Sequence, residues 1–339
     1  MPLQLGGLRL ASAVVQSPMA DCTDLPFRLV SRRRGLGFAF TEMVSARSLL
    51  CPKNHRTLAL LKTAPEDRPL GAQLLGKDPA RLAAAAALLQ DLGFDLIDLN
   101  FGCPVKKVVS NGEGSALLKD PALAERIFAA VRRAVTVPLT VKTRKGFSDG
   151  SGAEAVELAR RAEAQGLDAV TVHGRTQKQM YGGVSDHGAV ALVRAAVRIP
   201  VLGNGDVRAP GDAPRLRDES GCAGVMIGRG GLGNPWLYRR AHLAWEGKDG
   251  HDREPTLQER RAALLEHFDL ELEHLGERQA ALNFRRIGAW YTSGLTGAKA
   301  FRVGVYATMD VALIRRMIED FFSAVPEDSV RAESVDKSS

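Results

Sequence analysis

The strongest constraint on this chain is a rhythm of apolar runs. From Ser12 to Gly230 it reads "SAVVQSPM", "FAFTEM", "PLGAQLLG", "LIDLN", "PLTVK", "AVTVHGR", "PVLGNGD" and "GVMIGRG", at fairly even intervals. Between most of them lie Ala/Leu/Arg segments of helical period, such as "DPARLAAAAALLQDLG" and "GAEAVELARRAEAQGLD". Asp78 and Pro79 give the first of these an N-cap and a first-turn proline, and Gly93 ends it. Strand then helix, eight times over, predicts an α/β fold of the (β/α)8 TIM-barrel type. A doubly wound sheet shares the alternation, but eight near-continuous apolar strands favour closure. Polar or sulfur-bearing residues gather where the runs end: Met19, Glu42, Gln73, Asn100, Lys142, His173, Asn204 and Arg229. In such a barrel the strand C-termini form the functional face, so these side chains are expected to converge on one mouth.

The pattern changes after Trp245. "EGKDGHDREP" reads as a polar linker over 246–255, and 256–325 reads as helices only, opened by a capping box of Thr256 and Glu259. Residues 1–245 are therefore expected to form the barrel domain and 256–325 a smaller all-helical domain. The polar, aperiodic stretch 326–339 is expected to be disordered. The net charge of +7 is weak evidence by itself, because an Arg- and Ala-rich composition produces it without function. Its distribution says more. Residues 252–277 hold three basic and eight acidic side chains, whereas 278–318 hold seven basic and one acidic.

The four cysteines, Cys22, Cys51, Cys103 and Cys222, are scattered, without CxxC spacing or paired histidines. That argues against a zinc site and against a disulfide scaffold, and fits a reduced cytoplasm. No run of about 18 apolar residues offers a membrane span. The opening "MPLQLGGLRLASAVVQSP" reads as a strand rather than a signal peptide.

Two glycine-rich stretches carry the phosphate signal: "NGD", Asn204 to Asp206, and "GRGGLGNP", Gly228 to Pro235. They follow strands 7 and 8, where a barrel commonly binds phosphate on backbone N–H groups. The second also matches G-x-G-x-x-G, but no acidic strand end follows about 20 residues on, as a dinucleotide fingerprint requires. A phosphate held there leaves the ligand's body over Gln73, Lys142 and His173, whose donors suit the carbonyls and ring nitrogens of a flavin. Lys142 has rivals, a Schiff-base role or plain surface exposure, and His173 can equally be a hydrogen-bonded core residue. "DLNFGCPVKK", Asp98 to Lys107, places a thiol at a strand mouth between a glycine turn and two lysines. A structural cysteine more usually sits inside an apolar segment.

These stretches, with "SPMADCTDLPFR", "TEMVSARSL", "QLLGKDP", "DLNFGCPVKKVVSNGEGSALLKDP", "VKTRKG", "TVHGRTQKQMYGG" and "NFRRIGAWYTSGLTGAKAFR", resemble the motif series of bacterial tRNA-dihydrouridine synthases, B-type subgroup, from about Pro18 to Phe322. The resemblance implies an FMN enzyme, recharged by NADPH, that reduces the 5,6-double bond of D-loop uridines in tRNA. Cys103 would protonate carbon 5. FMN would lie on Pro18, Met19, Ala20, Gln73, Lys142, His173, Asn204, Gly205, Asp206, Gly228 and Arg229. Asn100 would face the uracil. RNA phosphates would meet Lys106 and Lys107 at the cysteine loop, Arg144 and Arg175 at the rim, and Arg285, Arg286, Lys299 and Arg302 on the helical tail. It also implies a cytoplasmic protein, expected as a monomer, with neither metal nor membrane. Two positions depart from the family pattern: His187 stands where Trp is usual, and Ile287 where His is common. The rivals are an FMN barrel acting on a free pyrimidine, such as a dihydroorotate dehydrogenase relative, a non-catalytic tRNA-binding protein, and an aldolase using Lys142. A helical appendix with a basic second half speaks against the first, and Cys103 beside the full flavin set against the second.

Overall fold

The structure, a computed structural model, describes residues 2–51, 54–248 and 252–326. The expected tail, 327–339, and part of the expected linker, 249–251, lie outside the described residues. Strands β1 (Leu3–Leu5) and β2 (Leu8–Leu10) form an antiparallel hairpin around Gly6 and Gly7. Gly6 has φ +54°, and a Cβ there would meet Asp168 Oδ1 at 2.4 Å, so this turn needs glycine. The hairpin puts Leu3, Leu5 and Leu10 against Val15, Phe38, Phe40, Leu96, Leu202 and Met226, plugging the lower barrel.

The eight apolar runs are β3 (Val14–Gln16), β4 (Ala39–Ser45), β5 (Leu70–Leu75), β6 (Leu96–Phe101), β7 (Leu139–Gly146), β8 (Ala169–Thr176), β9 (Val201–Asn204) and β10 (Gly224–Ile227). They pair in parallel in the order β3-β10-β9-β8-β7-β6-β5-β4. Helices fill the crossovers and pack their apolar stripes on the outside of the sheet. The helix Pro79–Asp91 starts as expected: Asp78 accepts from Arg81 N at 2.8 Å and Gly93 follows the end at φ +82°.

The seam between β3 and β4 closes differently from the rest. Gln16, fully buried, donates its backbone N–H to Phe38 O at 3.0 Å, and its side-chain Oε1 accepts from Phe40 N at 2.9 Å. Its Nε2 donates to Ser17 O. One side chain thus stands in for ladder bonds that the short β3 cannot supply.

Beyond the barrel, helices Leu257–Leu275, Glu277–Tyr291, Ala298–Tyr306 and Val311–Ala324 build a second core around Phe268, Phe284, Phe301, Ile314 and Ile318. The Thr256–Glu259 capping box forms, at 3.1 and 2.7 Å. Leu270 packs on Leu25, Leu29 and Val30 of the helix Leu25–Arg32, which joins this segment to the barrel. Among the described residues, no helix is long and apolar enough to cross a membrane.

Gln16→Ala should lower stability by roughly 1–3 kcal/mol, because Phe40 N is left buried without a partner. Chemical denaturation with an unchanged midpoint would show that the seam does not depend on the side chain.

Candidate functional site at the barrel mouth

Side chains at alternate positions of a strand share one face, and here polar ones occupy the inner face near the strand C-termini. A hydrogen-bonded chain runs from β5 to the cysteine loop. Asp98 on β6 accepts from Thr140 Oγ1 at 2.6 Å and from Gln73 Nε2 at 2.7 Å. Gln73 Oε1 accepts from Asn100 Nδ2 at 2.8 Å, which fixes the Asn100 amide. Asn100 Oδ1 then accepts from Gly102 N at 3.2 Å and Cys103 N at 2.9 Å. The Cys103 carbonyl takes two further bonds, from Ser115 N at 3.1 Å and Ser115 Oγ at 2.9 Å. The backbone of the thiol is held on both sides.

Burial pushes the Cys103 thiol above its ordinary value; the Val105 N–H, Arg144 and Lys142 pull the other way with smaller effect. Lys106 and Lys107 are exposed and exert no such pull. Lys142 is pushed down to about 8, by burial first and by Arg144 second, with Asp98 and Cys103 opposing. Asp98 is pushed up to about 6 by burial. His173 is held well below its ordinary value, by burial and by Lys142, Arg144, Arg175 and Arg229. It is therefore neutral. With Arg175 Nη1 3.3 Å from His173 Nε2, that nitrogen is the acceptor and Nδ1 carries the proton.

Arg144 and Arg175, expected at the rim on RNA phosphate, are buried instead, at 2% and 1% exposure. Their forks are spent on the backbone. Arg144 donates to Gly102 O at 2.8 Å, Thr176 O at 3.0 Å and Met180 O at 2.7 Å. Arg175 donates to Gly182 O at 2.9 Å, to Gly183 O, and to Asp206 Oδ2 at 2.8 Å. These bonds hold the loop after β8 over the mouth. The two arginines are not exposed rim residues, because each lies on the inner face of its strand with its fork engaged by the protein itself.

The loops after β9 and β10 form the glycine-rich side of the mouth. Gly205 has φ +126°, and a Cβ there would meet Ser185 Oγ at 2.2 Å. Asp206 follows at φ +54°. Among the described residues, the N–H groups of Asp206, Val207, Arg229 and Gly230 donate to nothing. Among the described residues, the Arg229 guanidinium makes neither hydrogen bond nor ion pair, and it lies 5.0 Å from the Tyr181 ring centroid. Asn204 Nδ2 is spent on Met226 O at 2.7 Å. Near β3, Met19 O accepts from Cys22 N, Thr23 N and Thr23 Oγ1, closing a tight turn beside Pro18 and Ala20. Gly228 sits against this turn, where a Cβ would lie 3.4 Å from Met19 Sδ.

On the tail, Arg285 lies over Tyr306 at 5.5 Å and Arg286 over Trp290 at 5.4 Å. Lys299 is exposed and Arg302 half-buried, and none of the four forms an ion pair among the described residues. His187 pairs with Glu219 at 2.6 Å, and Ile287 is buried in the helical core. Asp98 and Tyr181 were missed from sequence. The signal for Asp98 was its spacing of two from Asn100; Tyr181, between Arg144 and Arg229, had none.

A family model described as dihydrouridine synthase matches residues 15–322. The chain belongs to the dihydrouridine synthase family. A probable tRNA-dihydrouridine synthase of Rickettsia typhi is 36% identical over 326 residues, covering 95% of this chain and 98% of the relative. tRNA-dihydrouridine synthase B of Pseudomonas aeruginosa is 37% identical over 323 residues, covering 95% and 96%. This is the family, and the subgroup, that the sequence motifs resemble. Among solved structures, histamine dehydrogenase from Rhizobium sp. 4-9 aligns with a TM-score of 0.56 at 16% identity, over 79% of this chain and 50% of that one. A 2-naphthoyl-CoA reductase complex aligns at 0.57 and 11% identity, over 73% and 52%. These two share the barrel fold.

Arg175→Met should destabilise the chain by roughly 1–3 kcal/mol, since half-buried Asp206 and two loop carbonyls lose their guanidinium partner. It should also speed proteolysis within Gln177–Ser185. Equal stability and equal cleavage would show that Arg175 does not brace this loop.

Proposed function

We propose that the chain is a tRNA-dihydrouridine synthase that reduces the 5,6-double bond of uridine, with FMN as its flavin and NADPH as reductant. The observation that carries this is a half-buried thiol, its backbone held by Asn100 and Ser115, at the edge of a mouth that also presents Lys142, His173 and Arg229. Bound FMN would supply hydride chemistry at uracil carbon 6, and NADPH would restore it. The free N–H groups of Asp206, Val207, Arg229 and Gly230, with the unpaired Arg229 fork, fit a phosphate. A Cβ at Gly205 or Gly228 would crowd that cradle, which also fits a bound group. Lys142, without a hydrogen-bond partner among the described residues, suits the electron-rich edge of the flavin ring. His173 would donate from Nδ1. Pro18, Met19, Ala20 and Asn204 would contact FMN through backbone or apolar surface. Gln73 has its carbonyl oxygen and one N–H engaged, leaving its second amide N–H for the ring.

The residues of this chain then divide the work. Cys103 would deliver its proton to carbon 5 of the uracil. Asn100 positions the thiol and its neighbouring N–H groups, and faces the base. The uridine must leave its stack to reach the mouth. Arg285, Arg286, Lys299 and Arg302 on the helical segment, and Lys106 and Lys107 beside the cysteine, would meet phosphates. Residues 256–325 would thus serve as the RNA-binding domain and 1–245 as the flavin domain, with 246–255 between them. Sequencing tRNA for dihydrouridine after incubation with the purified chain, tRNA and NADPH tests the activity directly.

Arg229→Ala should weaken FMN binding by about 1.5–3 kcal/mol, the range for a hydrogen bond to a charged group. Flavin titration with unchanged affinity would place the phosphate elsewhere.

Cys103→Ala should bind flavin and tRNA normally but slow single-turnover reduction of tRNA by about 10²–10⁴-fold. A general acid acts only when protonated, so the wild-type rate should fall with rising pH. Burial raises the thiol, so the fall is expected above its ordinary value of 9.0. A rate that climbs through this window would indicate a thiolate and exclude the acid role.

A further inference from the structure

One buried cluster has no part in this chemistry. Asp24, in the loop after β3, and His267 and Glu271, on the helix Leu257–Leu275, each bring one oxygen or nitrogen to within 4.8 Å of the others. The His267 and Glu271 side chains are 1% and 0% exposed. His267 Nε2 and Glu271 Oε1 have no hydrogen-bond partner and lie 3.9 Å apart, beyond hydrogen-bond reach. Two bare polar atoms in a dry seam are costly, and each leaves the other unsatisfied.

The opposite atom of every member is held. Asp24 Oδ1 accepts from Phe27 N at 3.1 Å. Glu271 Oε2 accepts from Asn283 Nδ2 at 2.7 Å. His267 Nδ1 faces Tyr291 Oη at 3.4 Å. His267 and Glu271 are thus each oriented through one atom, as outer partners orient metal ligands, while the Asp24 and Glu271 carboxyl groups lie in direct contact and would exchange their shared proton for the ion. His267 is kept neutral by burial, the form in which imidazole coordinates. Three cations face the cluster. Arg28 is committed to Asp67 and Arg34 to Glu266, which leaves Arg286 as the one without a carboxylate partner.

We propose that Asp24, His267 and Glu271 form a site for a divalent transition-metal ion of the zinc class, tying the barrel loop to the helical segment. One imidazole nitrogen and two carboxylates suit Zn²⁺, and the nitrogen disfavours Mg²⁺ or Ca²⁺. Three protein ligands leave the remaining position to water. The expectation of no metal rested on cysteine spacing, which is silent about a nitrogen and oxygen site assembled from two distant segments.

The test is equilibrium dialysis of the full chain, stripped with a chelator, against Zn²⁺ alone. One zinc per chain is expected, with an unfolding temperature raised by the metal. Asn283→Ala should bind zinc about 10–100-fold more weakly, and Glu271→Gln more weakly still. Glu271→Gln keeps the shape of the side chain and should melt like the metal-free wild type. Absence of stoichiometric zinc overturns the proposal. So does zinc that both variants bind as well as the wild type, which would lie on exposed thiols such as Cys51.

Discussion

One buried carboxylate orders the mouth. Asp98 can only accept, so Thr140 and Gln73 must both donate to it. That leaves the Gln73 oxygen facing Asn100, which must then present its NH₂ to Gln73 and its oxygen to the Cys103 loop. Neither amide can flip without setting donor against donor. The orientation of a thiol five residues downstream thus follows from one acid deep in the barrel. Low local polarity strengthens every bond in such a chain and makes a break in it costly.

Arginines do two different jobs in this molecule. Arg144 and Arg175 occupy inner strand faces and brace loop carbonyls, so their charge raises the potential of the mouth without offering a contact. Arg229 lies at a loop tip with its fork free. Burial decides between the roles, and identity alone does not reveal it. A guanidinium is weakly hydrated and carries five donors in a rigid fork, which makes it the cation best able to serve as an internal brace.

Much of the fold was legible because strand and helix signals are local. All eight apolar runs became strands, and Asp78, Gly93 and Thr256 mark helix ends as composition suggested. The polar residues at run ends do converge on the mouth, since topology alone carries strand ends to one face. What stayed hidden depends on distant pairs. Arg175 looks like a rim residue until Asp206, after the next strand, is placed beside it. Asp24 and His267 are separated by most of the chain, and no spacing rule joins them. The hairpin plug was read only as a strand, although the Gly6–Gly7 pair between alternating leucines carries the turn signal.

The state of Cys103 follows from a contest between burial and charge. Two cations lie near enough to favour a thiolate, and an exposed thiol beside them would be acidified. Each is weakened as a partner. Arg144 has its N–H groups directed at three carbonyl oxygens, and Lys142, pushed down to about 8, gives up its own charge before the thiol does. Of these two groups, the first to lose its proton as pH rises is therefore Lys142, and that loss raises the thiol further. The site keeps its sulfur protonated through neutral pH. It does so without sacrificing the positive potential of the mouth, because that potential rests on guanidinium groups that stay charged at that pH.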